Sequence, residues 1–140
     1  MTAINAHLST TTLERAWHVW VELADRDDAR VREAVTKAVG LAYGSYKGVA
    51  FEGANGTQFF QPVDGSQMGD TGETVEMPVR ILTFTLPDDD KIVAKAIEAI
   101  RFAHSYQEPV IVLRESYASR AHYDTDRDNP NRWWNRGFDV

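Results

Sequence analysis

Hydrophobic and polar positions alternate from Ala16 to Leu23. Trp17, Val19, Val21 and Leu23 fall on one side, and His18, Trp20 and Glu22 on the other. A period of two with β-branched residues predicts a strand. Asp25-Arg-Asp-Asp28 follows and reads as the N-cap and acidic first turn of a helix. Val31, Ala34, Val35, Ala38, Val39 and Ala42 then recur at helical spacing. Gly40 and Gly44 mark the end of that helix, and Val49–Glu52 reads as a short strand. Gly53-Ala-Asn55-Gly56 is a turn signal, because Asn-Gly readily takes positive φ. Thr57–Gln61 returns as a further strand. Pro62–Glu76 is rich in Gly, Asp, Ser and Thr and reads as a mobile surface loop. Met77–Leu86 is apolar on both alternating faces, as in a central strand. Pro87-Asp-Asp-Asp90 opens a second helix, whose buried stripe is Ile92, Val93, Ala96, Ile97, Ile100 and Ala103. Arg101 and His104 fall in its last turn, Pro109 stops it, and Val110–Glu115 is the last core strand.

The predicted order is β-α-β-β-α-β, an α+β ferredoxin-like sandwich with an inserted central hairpin and loop. Three regions are expected: a polar arm over 1–15, the domain over 16–123, and an acidic linker with an aromatic tail over 124–140. Two helices cover one face of such a sheet. The other face carries Trp20 and calls for self-association.

A length of 140 residues with 43% apolar content suits one domain with a real core. The net charge of −6 and the absence of a basic run argue against nucleic acid as a partner. The lack of cysteine removes disulfides, thiolate nucleophiles and Cys-ligated zinc, and it suits a reducing cytoplasm. Met1–Thr12 is polar, without the apolar stretch of a secretory leader. No run approaches the ~20 apolar residues that span a bilayer. A cytoplasmic protein without membrane contact is expected.

Motifs for catalysis and cofactors are missing. Gly40–Gly48 contains Lys47 but not the phosphate-loop spacing, and Pro62–Glu76 holds no basic residue to meet phosphates. There is no G-x-S-x-G. The histidines His7, His18, His104 and His122 show no paired ligand spacing. Asp124-Thr-Asp126-Arg-Asp128 starts like a calcium loop, but the sixth and twelfth positions are Asn129 and Asn135. Neither cofactor nor catalytic group is expected. In the tail, Trp133, Trp134 and Phe138 bury about 150–250 Å² each when docked, so they are expected to pack on the domain or on a neighbouring subunit.

Gly44-Ser-Tyr46, Phe51, Gly56, Phe59 or Phe60, Pro62, Gly65, Gly69 and Arg80 share one further pattern with His104-Ser-Tyr106-Gln-Glu108-Pro109. The joint spacing resembles the domain inserted into many Nif-three-like proteins, which also stands alone as the YqfO-like group. The second segment resembles that family's His-Pro-Tyr-Glu-Glu-Pro box and a similar box in CutA proteins. Ser105 replaces the usual Pro and Gln107 the usual first Glu. The likeness runs from Trp17 to Ser116. It implies a PII/CutA-like fold, association with a trimer favoured, and a non-enzymatic role in binding a small ligand or partner between subunits. On this reading Tyr46, His104, Tyr106 and Glu108 are the ligand-binding candidates. The alternatives are a divalent-metal site at His104 and Glu108, and an accessory subunit or an enzyme with a spatially assembled site.

Overall fold

The computed structural model describes residues 4, 6–27, 29–53 and 55–137. Asp28, Ala54 and Phe138, which enter the cap, turn and tail expectations above, lie outside the described residues. The elements are β1 (Thr11–Ala24), a 3-10 turn at Asp25–Asp27, α1 (Arg30–Val39), β2 (Phe51–Glu52), β3 (Gly56–Phe60), β4 (Val75–Pro87), α2 (Asp90–Ala103), β5 (Ile111–Ala121), a second 3-10 turn at Tyr123–Thr125, and α3 (Trp133–Arg136).

All pairings are antiparallel. β1 lies between β4 and β5, and both β2 and β3 pair with the far side of β4. This is the ferredoxin-like arrangement. Val19, Val21 and Leu23 of β1 and Leu82, Phe84 and Leu86 of β4 meet Val31 and Val35 of α1 and Ala96, Ile100 and Ala103 of α2 in one core. The alternation that predicts β1 therefore also places Trp20 on the face away from the helices.

Several boundaries differ from expectation, each for a physical reason. β1 starts within the supposed polar arm, because Thr11–Arg15 pairs with Tyr117–Ala121 of an equally extended β5. Backbone pairing along this ribbon needs no apolar periodicity. The Asn55-Gly56 turn does not reverse the chain. Between Glu52 opposite Leu82 and Gly56 opposite Val79, the edge carries one residue more than β4. That is the count of a β-bulge, and Gly53 N–H still reaches the Ile81 carbonyl at 2.7 Å. The reversal comes later, in the 61–74 loop, so β3, loop and β4 form the central hairpin.

The cap of the first helix and the role of His104 also differ, whereas α2 opens where expected. α1 begins after Ala29, which makes no side-chain cap, and it ends at Gly40 in the left-handed region at φ 80°. α2 is capped by Asp89, whose Oδ1 accepts from the Lys91 and Ile92 amides at 2.9 and 3.3 Å. His104 is the extended C-cap of α2 and is buried, so it does not serve as an exposed cation in the last turn.

The tail forms its own small unit. Asp126 pairs with Arg132, and Trp134 Nε1 and Asn135 Nδ2 donate to the Arg127 carbonyl at 2.9 Å each. Trp133 and Trp134 meet edge to face with centroids 5.8 Å apart. Within the single chain they remain 46% and 47% exposed. About half of each tryptophan is thus covered within the single chain.

Candidate functional site

α2 ends where β1 and the first 3-10 turn meet, and this corner holds His104, Ser105, Tyr106, Gln107 and Glu108. Its centre is Asp27, whose side chain is fully buried. The carboxylate accepts from Ala24 N at 3.2 Å, Arg30 Nη2 at 2.8 Å, Ser105 N at 2.8 Å and Ser105 Oγ at 3.1 Å. A buried charge needs such partners. Asp27 thereby ties the segment after β1 to the segment after α2. Ser105 contributes both an amide and a hydroxyl to Asp27, which the proline usual at this position in the resembled box could not do.

His104 is fixed on both ring nitrogens. Nε2 lies 2.6 Å from the Glu22 carbonyl, and Nδ1 lies 3.0 Å from the Tyr106 amide. A carbonyl only accepts and an amide only donates, so Nε2 carries the proton and Nδ1 supplies the lone pair. The Asp27 carboxylate 3.7 Å from Nδ1 then faces an acceptor, and the contact is not an ion pair in this tautomer. A metal at His104 would have to displace a backbone hydrogen bond at either nitrogen.

Tyr106 packs at a tilt against His104 and Phe60, with centroids 5.2 and 6.3 Å away. Its hydroxyl is buried and has no hydrogen-bond partner among the described residues. Burial pushes the phenol above its ordinary value; Arg26 opposes this, while Asp27, Asp25 and Glu22 add to it. Gln107 reaches the 61–74 loop: Oε1 accepts from Gln67 N at 2.7 Å and Nε2 donates to the Gly65 carbonyl at 3.4 Å. Glu108 is exposed.

Tyr46 belongs elsewhere. It bridges to Tyr43 in the turn after α1, beside the outer ribbon. There Tyr43 Oη pairs with Ser119 Oγ at 3.2 Å, and Arg120 lies 4.0 Å over the Tyr43 ring. Ser45 N donates to Tyr123 Oη at 2.8 Å, and the Ser45 side chain together with this amide holds the phenol below its usual value. Ser119 is opposite Leu13, whereas the His104 corner bonds Glu22. At 3.3 Å per residue the two places are roughly 30 Å apart along β1. Within one chain, the four candidates divide into a corner trio and a distant Tyr46.

Two cavities lie outside this corner. One, of about 580 Å³, is lined by Ala29, Arg32, Ala50, Glu52 and Arg80. Arg80 there faces Asp25 and Glu52 at 3.4 and 3.5 Å. The other, of about 340 Å³, lies beside Leu41, Leu86, Ile92, Glu14 and Arg120. Among the described residues no group of three or more His, Cys, Asp or Glu side chains is placed to hold a metal.

The face away from the helices carries an apolar row. Phe51 opposes Thr83, Thr83 opposes Trp20, and Trp20 opposes Val112. Phe51, Trp20 and Val112 are 68%, 41% and 40% exposed. Glu22 anchors the row, accepting from Trp20 Nε1 at 3.3 Å and Gln58 Nε2 at 3.1 Å. The sequence did not reveal Asp27 or Gln107 as organisers. An Asp before a helix reads as a cap, and nothing local distinguishes a buried one.

These features define the class by its fold: a ferredoxin-like α+β domain, whose fold is shared with CutA proteins and with one segment of a NIF3-related protein. The NIF3-related protein of Bacillus cereus superposes with a TM-score of 0.62 at 23% identity, over 77% of this chain and 27% of that one. The present chain thus spans about a quarter of that protein's length. CutA of Synechococcus elongatus gives 0.56 at 10% identity, over 84% of this chain and 91% of its own. CutA1 of Ehrlichia chaffeensis gives 0.53 at 13%, over 89% and 94%. No family model matches the sequence, and no curated protein matches it. At these identities the likeness establishes the fold.

Proposed function

We propose that this chain is a non-enzymatic, self-associating module of the PII/CutA-like kind that binds a small ligand or partner in clefts between its copies, with a trimer favoured. The observation that carries the reading is the exposed apolar row Phe51–Thr83–Trp20–Val112 on the sheet face that no helix among the described residues covers. A second copy satisfies that face without adding a layer to the fold. Association also provides a way to bring Tyr46 of one copy near the His104 corner of another. The cysteine-free sequence suits a cytoplasmic setting, and no helix among the described residues is long and apolar enough to cross a membrane. Light scattering at tens of micromolar tests the reading: a trimer is expected, and a monomer contradicts it.

A divalent cation is the second reading. The fold is shared with the divalent cation tolerance protein of Thermus thermophilus, at a TM-score of 0.51 and 17% identity. The engaged nitrogens of His104 weigh against a site at His104 and Glu108. Calorimetric titration with copper, zinc and magnesium decides it: saturable heat that Glu108→Gln abolishes would favour the cation. The accessory-subunit reading draws on the NIF3-related segment and predicts co-purification with an enzyme.

A further inference from the structure

Pro62–Glu76 is expected to be the loosest internal segment, yet the 61–74 loop within the central hairpin is closed on itself and fastened to the corner. Internally, Ser66 N donates to the Val63 carbonyl at 3.1 Å, Gly69 N to the Ser66 carbonyl at 3.0 Å, and Thr71 N to the Pro62 carbonyl at 3.3 Å. Externally, Gln107 makes side-chain bonds that join it to the corner. The carboxamide uses both ends: its oxygen takes the Gln67 amide and its nitrogen gives to the Gly65 carbonyl. A flipped amide would set donor against donor and acceptor against acceptor, so the network fixes its orientation. A glutamate here could keep the first bond but could not make the second.

The loop's root leads to Tyr106. Phe60, the last residue of β3, lies against the Tyr106 ring, and Pro62 beyond it is buried. The Tyr106 hydroxyl is shielded from solvent and has no partner among the described residues. A native structure rarely leaves a buried hydroxyl unpaired. Asp27 holds the floor of the corner through Ser105, next to Tyr106. The corner is thus braced by Asp27, while Gln107 ties the 61–74 loop to it through the Gln67 amide and the Gly65 carbonyl.

We propose that Gln107 is a clasp that holds the 61–74 loop as a strap over the corner, and that its release frees the Tyr106 hydroxyl to donate to an oxygen acceptor on a ligand. The clasp half stands on the geometry of the free chain. The ligand half rests on the reading of the corner as a binding site.

Amide hydrogen exchange on the full-length protein tests the clasp, comparing wild type with Gln107→Glu, Gln107→Ala and Gln67→Ala. Gln107 reads only the backbone of Gln67, so Gln67→Ala leaves exchange unchanged. Gln107→Ala accelerates exchange across residues 63–71 about tenfold, as expected for the loss of one or two hydrogen bonds. Gln107→Glu falls between, and β4 exchange stays constant in all four. Equal exchange over 63–71 in wild type and both Gln107 variants overturns the proposal. Tyrosine ¹³Cζ titration is the second readout, and it needs no ligand. In Gln107→Ala the Tyr106 midpoint falls toward its ordinary value as the phenol gains solvent. A midpoint that stays put while the loop exchanges faster overturns the coupling to Tyr106, whatever the oligomeric state.

Discussion

Replacing Asp27 should cost more stability than any other single polar change at the corner. The carboxylate is fully buried and accepts four hydrogen bonds. Arg30 contributes least, because its side chain is 54% exposed and solvent screens the pair to about 0–1 kcal/mol. The Ser105 and Ala24 amides matter more, because bonds to a charged acceptor are worth roughly 1.5–3 kcal/mol each and do not add fully. Asp27→Ala leaves those donors without an acceptor and should cost about 3–5 kcal/mol. Asp27→Asn keeps one accepting oxygen but turns an NH₂ toward donors, and should cost about 2–3 kcal/mol. Urea unfolding at fixed, low protein concentration reads both, with the slope unchanged. Thermal unfolding of Asp27→Ala should fall by about 10–20 °C. The same denaturation series on Ser105→Ala, which loses only the hydroxyl bond, should show a cost of about 1 kcal/mol. The reasoning is refuted if Asp27→Ala unfolds within 1 kcal/mol of wild type, or if Ser105→Ala costs as much as Asp27→Ala.

Gly44 has φ +59°, and a methyl group there would run into the Tyr123 hydroxyl. Gly44→Ala should therefore cost about 1–3 kcal/mol in urea, and a neutral result would mean that the turn and Tyr123 part freely. Cutting the chain after Asp128 should leave the unfolding of the dilute monomer unchanged and weaken association, because α3 exposes both tryptophans within one chain; a lower midpoint at high dilution would show that the tail supports its own domain. Arg132, with Asn129 assisting, holds the Asp126 carboxyl below its ordinary value of 3.8 against the opposing effect of burial. A depressed folded value means that the contribution is present above 3.8 and is lost as pH falls through the folded value. The indole NMR signals of Trp133 and Trp134 should thus hold from neutral pH down to that range and shift below it, and in Arg132→Gln the shift should begin at higher pH. Coincident transitions in the two proteins would refute that role for Arg132.

What was legible in the sequence was whatever an apolar period writes. Val19, Val21, Leu23, Val31, Val35, Leu82, Phe84, Leu86, Ala96 and Ile100 all lie in the core that the pattern assigns them. The outer halves of β1 and β5 were not legible, because residues such as Thr11, Thr12, Ser116 and Ser119 are held there by backbone pairing without an apolar face. The Asn55-Gly56 bulge was misread as a reversal because the same dipeptide permits either conformation. Of the candidate residues, His104 and Tyr106, two apart in the family-like box, pack together at one corner. Tyr46 falls at the far end of β1, since linear spacing says nothing about which end of a sheet a turn occupies. Asp27 and Gln107 were invisible as organisers. Their roles depend on Ser105, Gly65 and Gln67, which join them only after the fold closes.

On the proposed function, copies of this chain associate through the sheet face opposite the helices. Sedimentation equilibrium on wild type and on Trp20→Glu with Val112→Glu tests it most directly, with circular dichroism confirming that both are folded. The account predicts that the wild type sediments at three chain masses at tens of micromolar and that the double variant is a folded monomer. A wild type that stays monomeric, or a folded double variant that assembles as the wild type does, would contradict it.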